Sequence, residues 1–201
     1  MSNPPVNNND EMPDDDRISK IWKTIRFEPS DQWSAEAKKL EETLNYTHCN
    51  GGVQLHKYKV IGNDDFKWFV QNNKLHQIKF LKNVIKHPDL KNYREDLEIT
   101  EDKPRISCYN SWDDIYDLPG MLSRIMGQGG AYNNIDQHTA WQTTLNFIEG
   151  EFQNRFQDVT LDSVNVIPRA EWFYNIIWDY SMVLFDRINY ELLFIDITDT
   201  D

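Results

Sequence analysis

Cysteine is nearly absent from this chain. Only Cys49 and Cys108 occur in 201 residues, too few for a disulfide framework, so a reducing compartment is expected. Long apolar runs are missing too. No stretch reaches the ~18 residues that a membrane span needs, and no signal-like apolar region follows Met1. Basic residues are scarce beside acids: 21 Lys and Arg against 33 Asp and Glu give a formal charge of −12. That balance argues against general nucleic-acid binding and against a polybasic membrane contact. No internal repeat of about 20–50 residues is visible, which removes solenoids and propellers. The expectation left by these deficits is a soluble, cytoplasmic protein that needs no cofactor.

Apolar and aromatic residues are plentiful. Seven Trp, nine Tyr and ten Phe can fill a core in a chain of this length, which buries roughly 70% of its unfolded surface. Residues 1–16, "MSNPPVNNNDEMPDDD", have little to bury and read as a disordered acidic arm. The remainder, 17–201, reads as a single α+β domain. In "DRISKIWKTIRF", Ile18, Ile21, Trp22 and Ile25 fall at helical spacing. Trp33, Ala37, Leu40 and Leu44 make a second helical stripe. Asn50-Gly51-Gly52 breaks it, and "VQLHKYKVI" alternates like a strand. A longer helix is predicted from about Asp65 to Lys86, ended by Pro88, with Phe66, Phe69, Val70, Ile78, Leu81, Val84 and Ile85 on its apolar side.

Charge divides the chain. Between Lys57 and Arg94, nine Lys and Arg face three Asp, a local +6. Residues 145–201 carry eleven acids and three arginines, a local −8.

The second half begins with "SWDDIYDLPGMLSRIMGQGG", two helical turns around Pro119 with Ser111 as N-cap and Gly127, Gly129 and Gly130 as the stop. The longest helix is predicted over 134–157, where Ile135, His138, Trp141, Leu145, Ile148, Phe152 and Phe156 alternate steps of three and four. "SVNVI", "EWFYNIIW", "YSMVLFD" and "YELLFIDI" read as strands, and "DRIN" as the turn of a hairpin. The fold expected is therefore α+β, with N-terminal helices and one long helix packed on a C-terminal antiparallel sheet of three or four strands. Trp141, Leu145, Ile148 and Phe152 should make that packing.

Three constellations invite chemistry and fail on spacing. His48, Cys49, His56 and Cys108 lack the short paired spacings of structural zinc. Cys49 has no local signature of a nucleophile beyond its neighbour His48. The glycines of "GQGGAY" follow a helix, whereas a phosphate loop opens one. They suit a C-cap needing positive φ, and His138 suits a hydrogen-bonded core position.

The ending "LLFIDITDTD" is different. A hairpin turning at "DRIN" brings Asp179 opposite residues 195–199, which gathers Asp179, Asp196, Asp199 and Asp201 at one sheet end. If Ile195 and Ile197 face the core, alternation turns the acids to water. Such a cluster can form an anionic surface for a basic protein partner, bind Mg²⁺ or Ca²⁺, or simply blunt a strand end. The tail "WFYNIIWDYSMVLFDRINYELLFIDITDTD", preceded by "LPGMLSRIMGQGGAY", resembles the C-terminal half of a group of small uncharacterised bacterial proteins. The resemblance covers about 118–201, through Gly129, Gly130, Ala131, Tyr132, Trp172, Phe173, Trp178, Asp179 and the terminal Thr-Asp-Thr-Asp. It implies a bacterial origin and attaches no activity.

Two functions follow as expectations. The first is a small acidic binding protein, such as an immunity protein neutralising a basic nuclease, with Asp179, Asp196, Asp199 and Asp201 as its contact. The alternatives are a metal-assisted hydrolase using the same aspartates with His138 as accessory base, or a self-associating accessory protein.

Overall fold

A computed structural model describes residues 11–100, 115–164 and 170–201. The arm's residues 1–10, the Ser111 cap, Cys108 and most of "SVNVI" lie outside the described residues. In chain order the elements are α1 (Asp15–Thr24), β1 (Arg26–Pro29), α2 (Ala35–Thr47), β2 (Gly52–Ile61), α3 (Asp64–Gln71), α4 (Phe80–Val84) and α5 (Lys91–Asp96), then α6 (Leu118–Gln128), α7 (Gln137–Phe152), β3 (Val159–Val164), β4 (Tyr180–Asp186) and β5 (Glu191–Thr198). Four helices begin at a short polar side chain that accepts from a first-turn N–H: Asp14 to Arg17, Ser34 to Ala37, Asn63 to Phe66 and Asp136 to Thr139.

The fold is α+β, as the sequence predicts, around an antiparallel sheet ordered β1-β2-β5-β4-β3. Its five strands exceed the three or four expected. The sheet is also not purely C-terminal, because β2 pairs along eight residues of β5 and brings β1 with it. The segment "EWFYNIIW" is not a strand: only Ala170, just before it, makes a bridge, to Ile99.

Both faces of the sheet are covered. Tyr58, Val60, Val183, Phe185, Leu192 and Phe194 meet α1, α3, α4 and α5 on one side. Val53, Met182, Leu184, Leu193, Ile195 and Ile197 meet α2, α6 and α7 on the other. Strands β4 and β5 are accordingly buried at every position after their first, the behaviour of a sheet held between two helical layers. Each fully buried Leu, Ile or Phe contributes about 1.5–3 kcal/mol.

Three helix predictions need correction. The 65–86 helix is broken, because Asn73 and Lys79 adopt left-handed backbone (φ 53° and 51°) and separate α3 from α4. Its apolar residues are all buried as expected. Helix α7 packs by Ala140, Thr144, Phe147, Ile148 and Phe152, so its buried stripe is rotated from the predicted one. Trp141 and His138 are exposed and Leu145 is half-buried. At the chain start, α1 takes Asp15 and Asp16 into its first turn, so these two residues are helical where the sequence reads as disordered.

Candidate functional site

The hairpin β4–β5 pairs Tyr180 with Ile197 and Ser181 with Asp196. Asp179 therefore comes level with Thr198, within the window predicted for it, and the Thr198 hydroxyl donates to Asp179 Oδ1. The four aspartates do not share a surface, however. Alternation fails to turn Asp196 to water because its face of the sheet lies under α5. Asp196 and Asp199 are both fully buried, Asp179 is half-buried and Asp201 is exposed.

Asp199 is clasped by two turns. Its Oδ1 accepts the Asn50 N–H and its Oδ2 the Ala131 N–H, each at 2.8 Å. Gly130 is present for this approach and not for positive φ, since a Cβ there would overlap the Asp199 carboxylate. Gly129 does have positive φ, at 72°, where α6 ends. The Gly130 N–H donates to Thr47 O at 3.0 Å, and Asn50 Nδ2 to Thr200 O at 2.6 Å. This arrangement ties the chain end to α2 and α6. Buried His48 lies beside the clasp, where burial holds its pKa below the ordinary value despite the Asp199 charge. Its Nδ1 contacts Thr47 Oγ1 and not the exposed Cys49.

Asp179 holds a loop. Its Oδ2 accepts the Ile176 N–H at 2.8 Å, and its own N–H donates to Ile176 O. The loop so formed exposes Tyr174, Ile176 and Ile177, the last 79% accessible, while Phe173 anchors it in the core. Asn175 takes left-handed backbone at the tip, φ 61°.

Asp196 belongs to a polar row. The registers of β2 with β5 and β5 with β4 place Gln54, Asp196 and Ser181 side by side on one face. Ser181 Oγ donates to Asp196 Oδ1 at 2.5 Å. Tyr93 of α5 covers the row: its ring stacks on Phe194, with centroids 4.1 Å apart, and meets His56 edge-on at 5.2 Å. The Tyr93 hydroxyl lies against Asp196 and Ser181, yet makes an aligned hydrogen bond to neither. Burial pushes the Asp196 carboxyl up to about 7, with Ser181 and Tyr93 offsetting only part of the shift. Burial, followed by the Asp196 charge, pushes the Tyr93 hydroxyl far above its usual range.

Of these residues the sequence prediction included Asp196 alone. Ser181 carried a signal, since it is a small polar residue inside the apolar run "YSMVLFD" at the level of Asp196. Gln54 and Tyr93 carried none, and His56 entered only the zinc set that failed on spacing; only the β2–β5 pairing and the placement of α5 bring the three together. Among the described residues no group of three or more His, Cys, Asp and Glu is placed to hold a metal ion. No helix among them is long and apolar enough to cross a membrane. Against known proteins, the chain matches no family model and no curated protein.

Proposed function

We propose that the chain is an acidic binding protein for a basic protein partner, an immunity protein against a basic toxin such as a nuclease being the narrowest form of this reading. The observation that carries it is the loop at Tyr174, Ile176 and Ile177, which presents apolar side chains to solvent while Asp179 fixes its shape. Phe173 and Asp179 hold the loop in place before any partner arrives, so little ordering entropy is lost on docking. Exposed Glu171 and Asp201 add negative charge, Asp201 three residues beyond the Thr198 that bonds Asp179, and the chain as a whole carries −12. An apolar centre with a charged rim is the usual anatomy of a transient interface. Opposite charge would speed encounter with a basic partner. Asp179 and Asp201 keep the contact role in this reading; Asp196 and Asp199 leave it because they are buried.

The test begins with affinity capture and mass spectrometry to identify a partner, then measures its affinity as a purified protein. A basic partner should bind more weakly as salt rises, because exposed charges are screened beyond about 8 Å at physiological ionic strength. Ile177→Lys should weaken it further without altering the fold. An acidic partner, or an affinity indifferent to both changes, rejects the proposal.

A further inference from the structure

Buried carboxylates in this protein are compensated in different ways. Asp186 meets the Arg155 guanidinium through both oxygens, at 3.1 and 2.6 Å. Glu151 meets Lys57 at 2.5 Å, and Asp199 has two backbone N–H donors. Asp196 has no cation. Ser181 Oγ of β4 donates to its Oδ1, and the Tyr93 hydroxyl lies against it. The titratable groups on this face are His56 and Tyr58 from β2, and Tyr93 and Asp96 from α5. Burial holds Tyr58 and Tyr93 above their usual range, so both stay neutral. The cations of α5 are turned elsewhere: Arg94 to Ile85 O at 3.5 Å, and exposed Lys91 to Glu95 at 3.1 Å. Among the described residues, no Lys or Arg acts on the Asp196 charge.

What covers this carboxylate is slight. Helix α5 has six residues, well short of the ~12 at which an isolated helix becomes even marginally stable, so it persists by packing alone. Pro88 opens the segment, and Glu98 ends it in left-handed backbone, φ 53°. Tyr93 stacked on Phe194, with buried Leu90 and Leu97, holds it to the sheet. Its polar ties to other segments are few. Gln54 Nε2 donates to Asp96 O at 3.0 Å, and His56 Nε2 meets Asp96 Oδ2 at 2.8 Å. The N–H groups of Glu171 and Trp172 reach Glu98 O and Leu97 O only at 3.4 Å. An ionised Asp196 needs water, and this short helix is the smallest element that must move to admit it. We propose that α5 is a proton-governed cover, closed over the row of Gln54, Asp196 and Ser181 while Asp196 is protonated and opening as that carboxyl ionises. The closed form keeps the proton up to about 7, whereas a hydrated carboxyl loses it near 3.8. Opening therefore becomes about tenfold easier per pH unit between those values and levels off above them. The device uses none of the loop residues 174–177, so it can fail while the partner proposal stands, and the reverse.

The experiment is amide hydrogen exchange of the full chain by NMR at pH 5, 6, 7 and 8, corrected for the intrinsic pH dependence of exchange. Leu97 and Ile99, whose N–H groups donate to Tyr93 O and Arg94 O at 3.2 and 2.8 Å, report on α5. Gly129 and Gln153, bonded to Ile125 O and Glu149 O at 2.8 Å, report on the opposite helical layer. Protection at Leu97 and Ile99 should be the lower of the two pairs and nearly indifferent to low urea, the mark of local opening. It should fall about tenfold per pH unit from 5 to 7 and stay level from 7 to 8. The fall should vanish in Asp196→Asn and survive in His56→Gln, which separates the two titrations. Should Asn disturb the strand, a carbon-13 titration of the Asp196 carboxyl in the wild-type chain reads the same proton, with its midpoint expected near 7. A midpoint near 3.8 overturns the proposal. So does protection that is flat with pH, or a fall that survives in Asp196→Asn. Exchange at Leu97 and Ile99 that matches Gly129 and Gln153, and quickens with urea as theirs does, is global unfolding and overturns it too.

Discussion

Asp186 and Asp196 end opposite halves of one hairpin, and neither is accessible to solvent. At the turn, Asp186 accepts from both Arg155 nitrogens, from the N–H groups of Ile188 and Asn189 at 2.9 and 3.0 Å, and from Asn189 Nδ2. Burial would raise its pKa, but Arg155 and these donors outweigh burial and leave the value lowered. At the open end, burial wins over Ser181 and Tyr93 together, and Asp196 rises to about 7. The same residue type at the same exposure therefore does two jobs. Saturated with donors, it locks a turn as a carboxylate; left short of them, it keeps its proton up to about neutral pH.

Arg155→Ala should have the largest effect on stability, because it leaves the Asp186 carboxylate buried without a cation. A loss of about 3 kcal/mol is expected from urea denaturation. A loss below about 1 kcal/mol would mean that backbone N–H groups alone suffice at the turn, and the contrast with Asp196 would weaken. Gly130→Ala comes next. Its Cβ would drive Asp199 from the clasp, at a cost of about 2 kcal/mol, readable as a lowered thermal midpoint.

Asp196→Asn reverses the sign. The folded protein holds the Asp196 proton more tightly than the unfolded chain, so this residue's contribution is fully present below its ordinary 3.8 and is lost as pH rises to about 7. Asp186 acts oppositely: its contribution is present above 3.8 and is lost as pH falls through its lowered folded value. Thermal midpoints of wild type and Asp196→Asn should therefore converge near pH 4 and separate by pH 8. The variant should then be the more stable by on the order of 2 kcal/mol. Parallel curves would show that Asp196 has a partner that satisfies its charge. The smallest stability effect is expected for Ile177→Lys, within about 0.5 kcal/mol, because the side chain is exposed; its consequence is for partner affinity.

Local pattern determined much of this protein from sequence alone. The hairpin turn at "DRIN", the level of Asp179 with Thr198, the apolar stripe of α2 and the buried set from Phe66 to Ile85 follow from short-range periodicity and turn chemistry, which neighbours in sequence settle among themselves. Alternation along β5 also divides its residues correctly into two sets: Leu193, Ile195 and Ile197 on one face, and Leu192, Phe194 and Asp196 on the other. Tertiary structure decided what each face meets. A strand's pleat has no knowledge of whether a second helical layer will arrive, and here α5 comes from a hundred residues away to set Tyr93 over Asp196. That placement, together with β2 lying beside β5, turned an expected rim of acids into one buried carboxylate without a cation, one clasped by two turns, one holding a loop and one left in water. Burial is a relation between distant segments, and a carboxylate's charge state follows from burial and donor count; both come into being only when the layers close.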